Sequence, residues 1–302
     1  MASMARFHTS LQRPGIVFAV LLAFALAVRA HDFGNPVIHV DEQYYLLVGE
    51  RLLSGAVPYV DLWDRKPPGL FLLFAGLRLL PGDGIVAYQV VATLFAALTG
   101  WLVTVGGRRL GASGVGALLA GLAYILWLSF LSGRGGQSPV FYNLFVAAGG
   151  VLTLGLPTLA AAGDRRRIVV GGAAACLLSG MAIQVKYTPA IEGIMFGLAH
   201  LSYLRQAGAR WSGIAAAGLG WMLLGALPTV AVVAWYWTQG PATFEAFWFA
   251  NFTSVTLRRG YPAGKIVARL AGTGAQLAVL AGCTVATLRL RPVTREVLLA
   301  IG

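Results

Sequence analysis

Residues 84–105 read GIVAYQVVATLFAALTGWLVTV, a stretch without a single charged side chain that ends shortly before Arg108 and Arg109. An α-helix needs about 20 apolar residues to cross the hydrocarbon core of a membrane. The stretch therefore predicts a membrane-spanning helix, and similar runs along the chain predict more. We place eight candidate spans at about 14–30, 84–105, 112–131, 138–161, 168–185, 188–204, 211–237 and 266–288.

The composition agrees with a membrane protein. The 302 residues are 58% hydrophobic and only 11% charged, with a mean hydropathy of +0.74, whereas soluble domains carry about 25% charged residues. We predict an all-α integral membrane fold that forms one polytopic domain over 1–302. The net charge of +12 is distributed over short breaks between apolar runs, so we expect membrane lipids as partners and no nucleic acid.

Positive residues in alternate breaks predict the orientation of the chain. They place the N-terminus in the cytoplasm and two long loops, 31–83 and 238–265, outside. The expected location is multi-pass in a bacterial inner membrane. The first apolar run resembles a signal peptide, but more spans follow and no clear small-x-small cleavage site precedes His31. We therefore expect a retained first helix.

Within the first outer loop, residues 39–69 hold five of the chain's 11 carboxylates, namely Asp41, Glu42, Glu50, Asp61 and Asp64. Asp41 is expected to cap a helix that runs to about Leu53. After Pro67 and Pro68, a second helix is expected over about 69–80. Both helices are expected to lie on the outer membrane surface, with Tyr45, Leu46, Leu52 and Leu53 able to face the lipid.

Asp41 and Glu42 are the leading candidates for chemistry. One carboxylate can act as a general base toward a hydroxyl, or both can help to bind a divalent cation, with His39 as a further metal ligand. The alternative is plain capping at the positive end of a helix. Nearby, Asp61, Asp64 and Lys66 are candidate substrate-binding residues, and Lys66 and Arg65 offer donors to an anionic head group. The alternative is a solvated loop with weak ion pairs.

Further candidates lie later in the chain. Lys186 occupies a short outer turn, where its charge can also simply reach the membrane interface. Glu192 is expected deeper in a span, as a paired, protonated or site-lining carboxylate. Arg258 and Arg259 follow an aromatic run and suit a lipid-linked phosphate or an anchor on anionic lipid. Small residues such as Gly116 and Ala120 predict a helix-packing face.

The string Asp41-Glu42-x-x-Tyr45, followed by Gly55-x-x-Pro58-Tyr59-x-Asp61-x-x-Asp64-x-Lys66-Pro67-Pro68-Gly69, resembles the polytopic membrane glycosyltransferases of the GT-C class. Within that class it is most similar to the protein-mannosyltransferase-like and aminoarabinose-transferase-like group. The resemblance implies a polyprenyl-phosphate sugar donor and a site on the outer side of the membrane.

The resemblance also implies roles for single residues. Asp41 matches a catalytic base or metal-site carboxylate, with Glu42 as its partner and Mg²⁺ or Mn²⁺ as a candidate cofactor. Lys66 matches the lysine of a Lys-Pro motif at the donor phosphate, and Lys186, six residues after Gly180, resembles another site lysine. Arg258 and Arg259 match no motif, so their substrate-binding role depends on location alone.

The sequence thus predicts a glycosyltransferase that moves a sugar to a lipid, glycan or protein acceptor. Two alternatives stay open at this point. A lipid or solute transporter or flippase would show polar residues within its spans and two similar halves. A truncated, non-catalytic membrane partner is the other alternative, because residues 295–302 resemble the beginning of another apolar segment and the family usually continues through further spans.

Overall fold

The structure, a computed structural model, describes residues 13–257 and 260–290. Within this part of the chain the regular elements are helices, and the only β-type contact is one isolated bridge between Pro58 and Leu62. In chain order the α-helices are α1 Pro14–Arg29, α2 Val40–Leu53, α3 Pro68–Arg78, α4 Ile85–Arg109, α5 Gly114–Phe130, α6 Ser138–Leu154, α7 Leu156–Ala161, α8 Arg165–Val185, α9 Ala190–Gln206, α10 Trp211–Thr238, α11 Pro241–Trp248, α12 Ser254–Thr256 and α13 Ala263–Leu290.

Six described segments are long and apolar enough to cross a membrane, which confirms the all-α membrane class. They are Pro14–Asp32, Ile85–Arg109, Ser138–Ala161, Arg165–Val185, Trp211–Thr238 and Ala263–Ala286. The two other predicted spans, about 112–131 and 188–204, coincide with α5 and α9. Each of these helices has 17 residues, which is the short end of the range for a spanning helix.

The helices form a bundle in which α4 and α8 are central. α4 packs against α1, α5 and α6, and α8 packs against α6, α9 and α10. The predicted packing face of α5 is wrong, because Gly116 and Ala120 are exposed. The buried face lies one position further along: Ala117 is fully buried, and a Cβ added at Gly121 would lie 2.5 Å from the Gly100 carbonyl oxygen.

The two helices predicted in the first outer loop are present as α2 and α3. The predicted cap is wrong: His39 precedes α2 without a side-chain capping bond, and Asp41 lies in the first turn. Tyr45 and Leu46 are buried in the protein and do not face lipid, whereas Leu53 is half exposed. Because α2 and α3 pack on each other and α3 contacts α8, both helices belong to the protein core.

The second long loop also folds into helices that meet the first. Residues 241–256 form α11, a π-helical turn over Phe249–Thr253, and α12. Phe247 of α11 stacks on Tyr236 of α10 with ring centroids 4.3 Å apart, and Tyr59 of the first loop packs against both rings. Aromatic contacts therefore join the two long loops at one end of the bundle.

Candidate functional site

Asp41, Tyr45 and Lys66 form a connected polar group at this end of the bundle. The Lys66 ammonium donates to the Tyr45 hydroxyl oxygen at 2.8 Å, and the Tyr45 hydroxyl donates to Asp41 Oδ2 at 3.3 Å. Lys66 Nζ lies 3.9 Å from the same carboxylate oxygen. Tyr45 is buried while 58% of the Asp41 side chain is exposed. A fixed phenol thus holds a lysine beside an open carboxylate.

Local backbone geometry brings these groups together. Asp41 and Tyr45 are four residues apart on α2, so both side chains lie on one face of that helix. Lys66 immediately precedes Pro67 and Pro68, whose rings fix the backbone φ angle at the start of α3. The Tyr59 hydroxyl donates to the Lys66 carbonyl oxygen at 2.6 Å, which further fixes the turn that carries the lysine.

Gly69 brings the same turn to the end of α8. A Cβ added at Gly69 would lie 2.5 Å from the Gln184 Cβ and 2.7 Å from the Gln184 carbonyl oxygen. Only a glycine allows this approach. Lys186 follows Gln184 by two residues and is the first residue after α8. The contact therefore brings the predicted site lysine of the second motif toward the first motif.

The electrostatics around Lys186 agree with this approach of the two motifs. Burial lowers the pKa of Lys186, the Lys66 ammonium lowers it further, and the Asp41 carboxylate opposes both effects. Burial also raises the pKa of Tyr45, as do the nearby carboxylates, so its hydroxyl keeps its proton at neutral pH. Lys66, Lys186 and Arg65 together outnumber the nearby Asp41 and Asp64 carboxylates, and this excess of positive charge suits a bound phosphate.

Glu42 has a different environment from Asp41, although the two residues are adjacent. Its side chain is fully buried, and Oε2 accepts a hydrogen bond from the Tyr88 hydroxyl at 3.2 Å. Burial raises the pKa of Glu42 to about 7, against the opposing effects of the Tyr88 hydroxyl, the Gly136 amide and the Arg29 charge. The structure separates the two predicted catalytic carboxylates: Asp41 is open to a substrate, and Glu42 is enclosed.

A turn over residues 131–137 closes the space around Glu42. A Cβ added at Gly135 would collide with the Glu42 carboxylate. On its other side the turn is held by Arg29, which is 1% exposed and donates to the carbonyl oxygens of Gly133 and Gly135, to the latter at 2.7 Å. Arg134 of the turn forms an ion pair with Asp32 at 2.5 Å. The turn is thus clamped from α1 and supports α2.

The remaining residues of the predicted Asp-Arg-Lys cluster shape the loop. Asp61 is exposed and accepts a hydrogen bond from the Val57 backbone N–H at 2.7 Å. Asp64 accepts from the Arg65 backbone N–H at 2.5 Å. The Arg65 guanidinium lies 5.1 Å from the Trp63 ring centroid, and its buried Nε finds no hydrogen-bond partner within residues 13–257 and 260–290. Arg65 therefore places its charge and an unpaired buried donor next to Lys66.

Three other predictions have more limited outcomes. His39 lies two residues before Asp41, but no group of three or more His, Cys, Asp or Glu side chains in the described ranges is placed to hold a metal ion. Glu192 lies in the first turn of α9, at the helix end and not deep in the span. Arg258 and Arg259 lie outside the described residues.

An apolar pocket of about 410 Å³ lies beside the turn that follows Lys66. It lies between the first-loop segment and α10, and Pro68, two residues after Lys66, forms part of its wall. The other lining residues are Leu52, Pro58, Leu72, Ala231, Val232, Trp235 and Tyr236. The site therefore combines a cationic surface with an apolar pocket that can accept a hydrocarbon chain.

The sequence motif includes Tyr45 but does not predict its role beside Lys66, and sequence reasoning did not find Arg29. Tyr45 was grouped with Leu46, Leu52 and Leu53 as an apolar residue able to face the lipid. Arg29 ends an apolar run. Its charge at that position could have predicted a buried, hydrogen-bonded arginine, since charged side chains at membrane depth usually pair inside the protein.

The comparisons with known proteins add no name to this geometry. No family model matches the chain, and no curated protein or solved structure matches it either.

Proposed function

We propose that the chain is a membrane glycosyltransferase that moves a sugar from a polyprenyl-phosphate donor to a hydroxyl-bearing lipid, glycan or protein. One observation carries this proposal: Asp41, Lys66 and Lys186, which lie far apart in sequence, meet beside an apolar pocket. The lysines fit the donor phosphate and the pocket fits the adjacent isoprenoid chain. An exposed carboxylate beside them fits the acceptor.

The chemistry we propose is an inverting displacement. The acceptor oxygen attacks the anomeric carbon of the sugar, and Asp41 takes the proton of that hydroxyl. The bond between the anomeric carbon and the phosphate oxygen breaks, and its electron pair leaves with the lipid phosphate. Lys66 and Lys186 stabilise the charge that develops on the leaving phosphate. Tyr45 positions Lys66, and Glu42 positions α2 from the protein interior.

The residues present do not form a dedicated cation site. The Lys66 ammonium already lies 3.9 Å from the Asp41 carboxylate, and the Lys186 charge lies close enough to interact with both groups. Positive side chains at these positions oppose a divalent cation. Mg²⁺ and Mn²⁺ therefore have no part in the proposed displacement.

The decisive test is sugar transfer by membranes that contain the full chain. Membranes are incubated with polyprenyl-phosphate donors that carry labelled hexoses or pentoses, and the labelled product is identified by mass spectrometry. We expect transfer from one donor class, and a loss of about 10²–10⁴-fold for Asp41→Asn, the size of a general-base contribution.

Asp83→Asn is the matched control, because it removes an exposed carboxylate of the same loop that lies outside the motif and accepts a hydrogen bond from the Ile85 backbone N–H. It should retain near-normal transfer. Wild-type transfer by folded Asp41→Asn protein, or no transfer from any polyprenyl-phosphate sugar, would contradict the proposal.

We also propose eight spans, with the N-terminus in the cytoplasm of a bacterial cell and the site on the outer side. α5 and α9 would each reach about 26 Å at 1.5 Å per residue, close to the thickness of a hydrocarbon core. Single cysteines at Ser54 and Ala162, in a background without Cys176 and Cys283, test the orientation. A membrane-impermeant thiol reagent should label the first position in intact cells and leave the second unlabelled.

A further inference from the structure

A second polar pocket lies at the end of the bundle opposite the candidate site. Its volume is about 970 Å³. α8 begins at this pocket and ends at Val185, directly before Lys186, so its 21 residues separate the two places by about 31 Å. The charged and imidazole-bearing lining residues are Arg109, Asp164, Arg166, Arg167 and His200.

The pocket has more positive than negative charge. Arg167 pairs with Asp164, with 3.3 Å between Nε and Oδ2. Arg109 donates to the Val151 carbonyl oxygen. Because this partner is neutral, it does not compensate the positive charge of Arg109. Arg166 is exposed, and neither it nor Arg109 forms an ion pair within residues 13–257 and 260–290. Two guanidinium charges are therefore available to an anion.

A buried histidine supplies an independent sign of a ligand. His200 is 0% exposed, and its Nδ1 lies 2.9 Å from the Phe196 carbonyl oxygen. Because Nδ1 faces an acceptor, it carries a hydrogen, and in the neutral ring Nε2 is the acceptor. Nε2 has no hydrogen-bond partner in the described part of the chain. Buried polar atoms are normally satisfied, so Nε2 is open to a hydroxyl that enters the pocket.

We propose that this pocket binds a phosphate-bearing ligand, the head group of an anionic glycerol-type phospholipid. Arg109 and Arg166 contact the phosphate, and His200 Nε2 accepts a hydrogen bond from the hydroxyl of the head group. Leu152, Leu154 and Val170 give the same pocket apolar walls for the adjoining chains. Basic pockets between membrane helices are suited to such head groups.

The test is lipid binding by the full purified chain in a zwitterionic detergent, measured by native mass spectrometry. Phosphatidylglycerol is titrated against phosphatidylcholine, and inorganic phosphate and glycerol 3-phosphate are titrated in parallel. We expect preferential binding of phosphatidylglycerol. Arg166→Gln should weaken it by about tenfold, the effect of one charge-assisted hydrogen bond, and the double variant Arg109→Gln/Arg166→Gln should weaken it further.

Arg165→Gln is the matched control, because Arg165 is exposed and adjacent but does not line the pocket. It should change the affinity by less than about twofold, as expected for a surface charge. If Arg166→Gln weakens the binding of the soluble phosphates and Arg165→Gln does not, the anion site is supported and its ligand is a soluble phosphate. Equal losses for Arg165→Gln and Arg166→Gln, or equal binding of both lipids, would overturn the proposal.

Discussion

The two ends of the bundle use basic side chains in opposite ways. At the site end, long segments between the spans fold into short helices, and Arg29 is buried with hydrogen bonds to Thr93 and to the 131–137 turn. At the other end, short connections join the helices, and Arg166 is exposed without an ion pair in the described residues. Extra chain length gives the site end its buried polar framework.

This difference shows that burial, and not residue type, decides what a basic residue does. Arg29 directs its guanidinium donors to carbonyl oxygens of its own chain, so it holds the fold. Lys66 and Lys186 are only partly buried, so their positions are fixed by the fold while their charges can still interact with a ligand. The exposed arginines of the opposite end keep most of their donors for an external group.

The largest expected effect comes from removing the buried arginine. Arg29→Met leaves the carbonyl oxygens of Gly133 and Gly135 without their donors, and should lower the free energy of unfolding by about 3–5 kcal/mol. Arg109→Met is the comparison at the opposite end, since Arg109 is exposed there, and should cost under about 1 kcal/mol. Thermal unfolding in detergent measures both, and equal losses would remove the contrast between the two ends.

The two site lysines should have the next largest effect, on transfer and not on folding. Lys66→Met and Lys186→Met should each reduce kcat by about 10²–10³-fold, the size of losing one group that stabilises a developing negative charge. Because both act on one phosphate, the double variant should lose less than the product of the single losses.

Lys265→Met is the control for the lysine variants, because Lys265 is exposed at the start of α13. Its transfer rate should stay within about twofold of wild type. Independent, fully multiplicative losses for Lys66 and Lys186 would show that the two lysines do not serve a common group.

Apolar runs and proline positions were sufficient to predict the main helices and the start of α3, because membrane length and proline geometry are local constraints. They were not sufficient to predict which face of each helix is buried in the protein. Tyr45 and Leu46 were expected at the lipid, and Gly116 and Ala120 in a packing face. In a membrane chain both the lipid and the protein interior accept apolar residues, so hydrophobicity does not distinguish the two faces.

The candidate site was predictable as a set of residues but not as a geometry. Asp41, Lys66 and Lys186 stand out as charges near apolar runs, yet their meeting depends on Gly69 against Gln184, a contact between residues 115 positions apart. The opposite environments of Asp41 and Glu42 depend on the 131–137 turn. Such long-range contacts leave no signature in local spacing.

Glu42 gives a third, pH-dependent prediction. Its pKa rises from 4.5 to about 7 on folding, so the folded chain binds more protons than the unfolded chain between these values. The contribution of Glu42 to stability should therefore be fully present below pH 4.5 and be lost as the pH rises through 7, by about 3 kcal/mol in total. Glu42→Gln should flatten that slope and be the more stable form at pH 8.

Glu50→Gln tests whether the slope belongs to Glu42. Glu50 is on the same helix, exposed, and paired with Arg78 at 3.2 Å. Its removal should leave the pH dependence between 4.5 and 7 as in wild type. If Glu42→Gln and wild type show the same slope in melting temperature, the carboxylate is not buried as the structure places it.

The smallest effect is expected for one added methyl group at the contact that assembles the site. Gly69→Ala forces a Cβ into Gln184 and should cost about 1–3 kcal/mol by overpacking, with a fall in transfer as Lys66 moves away from Lys186. Gly76→Ala is on the same helix, where a Cβ would have nothing within 4 Å. It should stabilise the chain by about 0.5–1 kcal/mol. Helix propensity favours alanine at both positions, so opposite effects on stability would identify a tight contact at Gly69. If both substitutions raise the melting temperature, α3 does not pack tightly against α8.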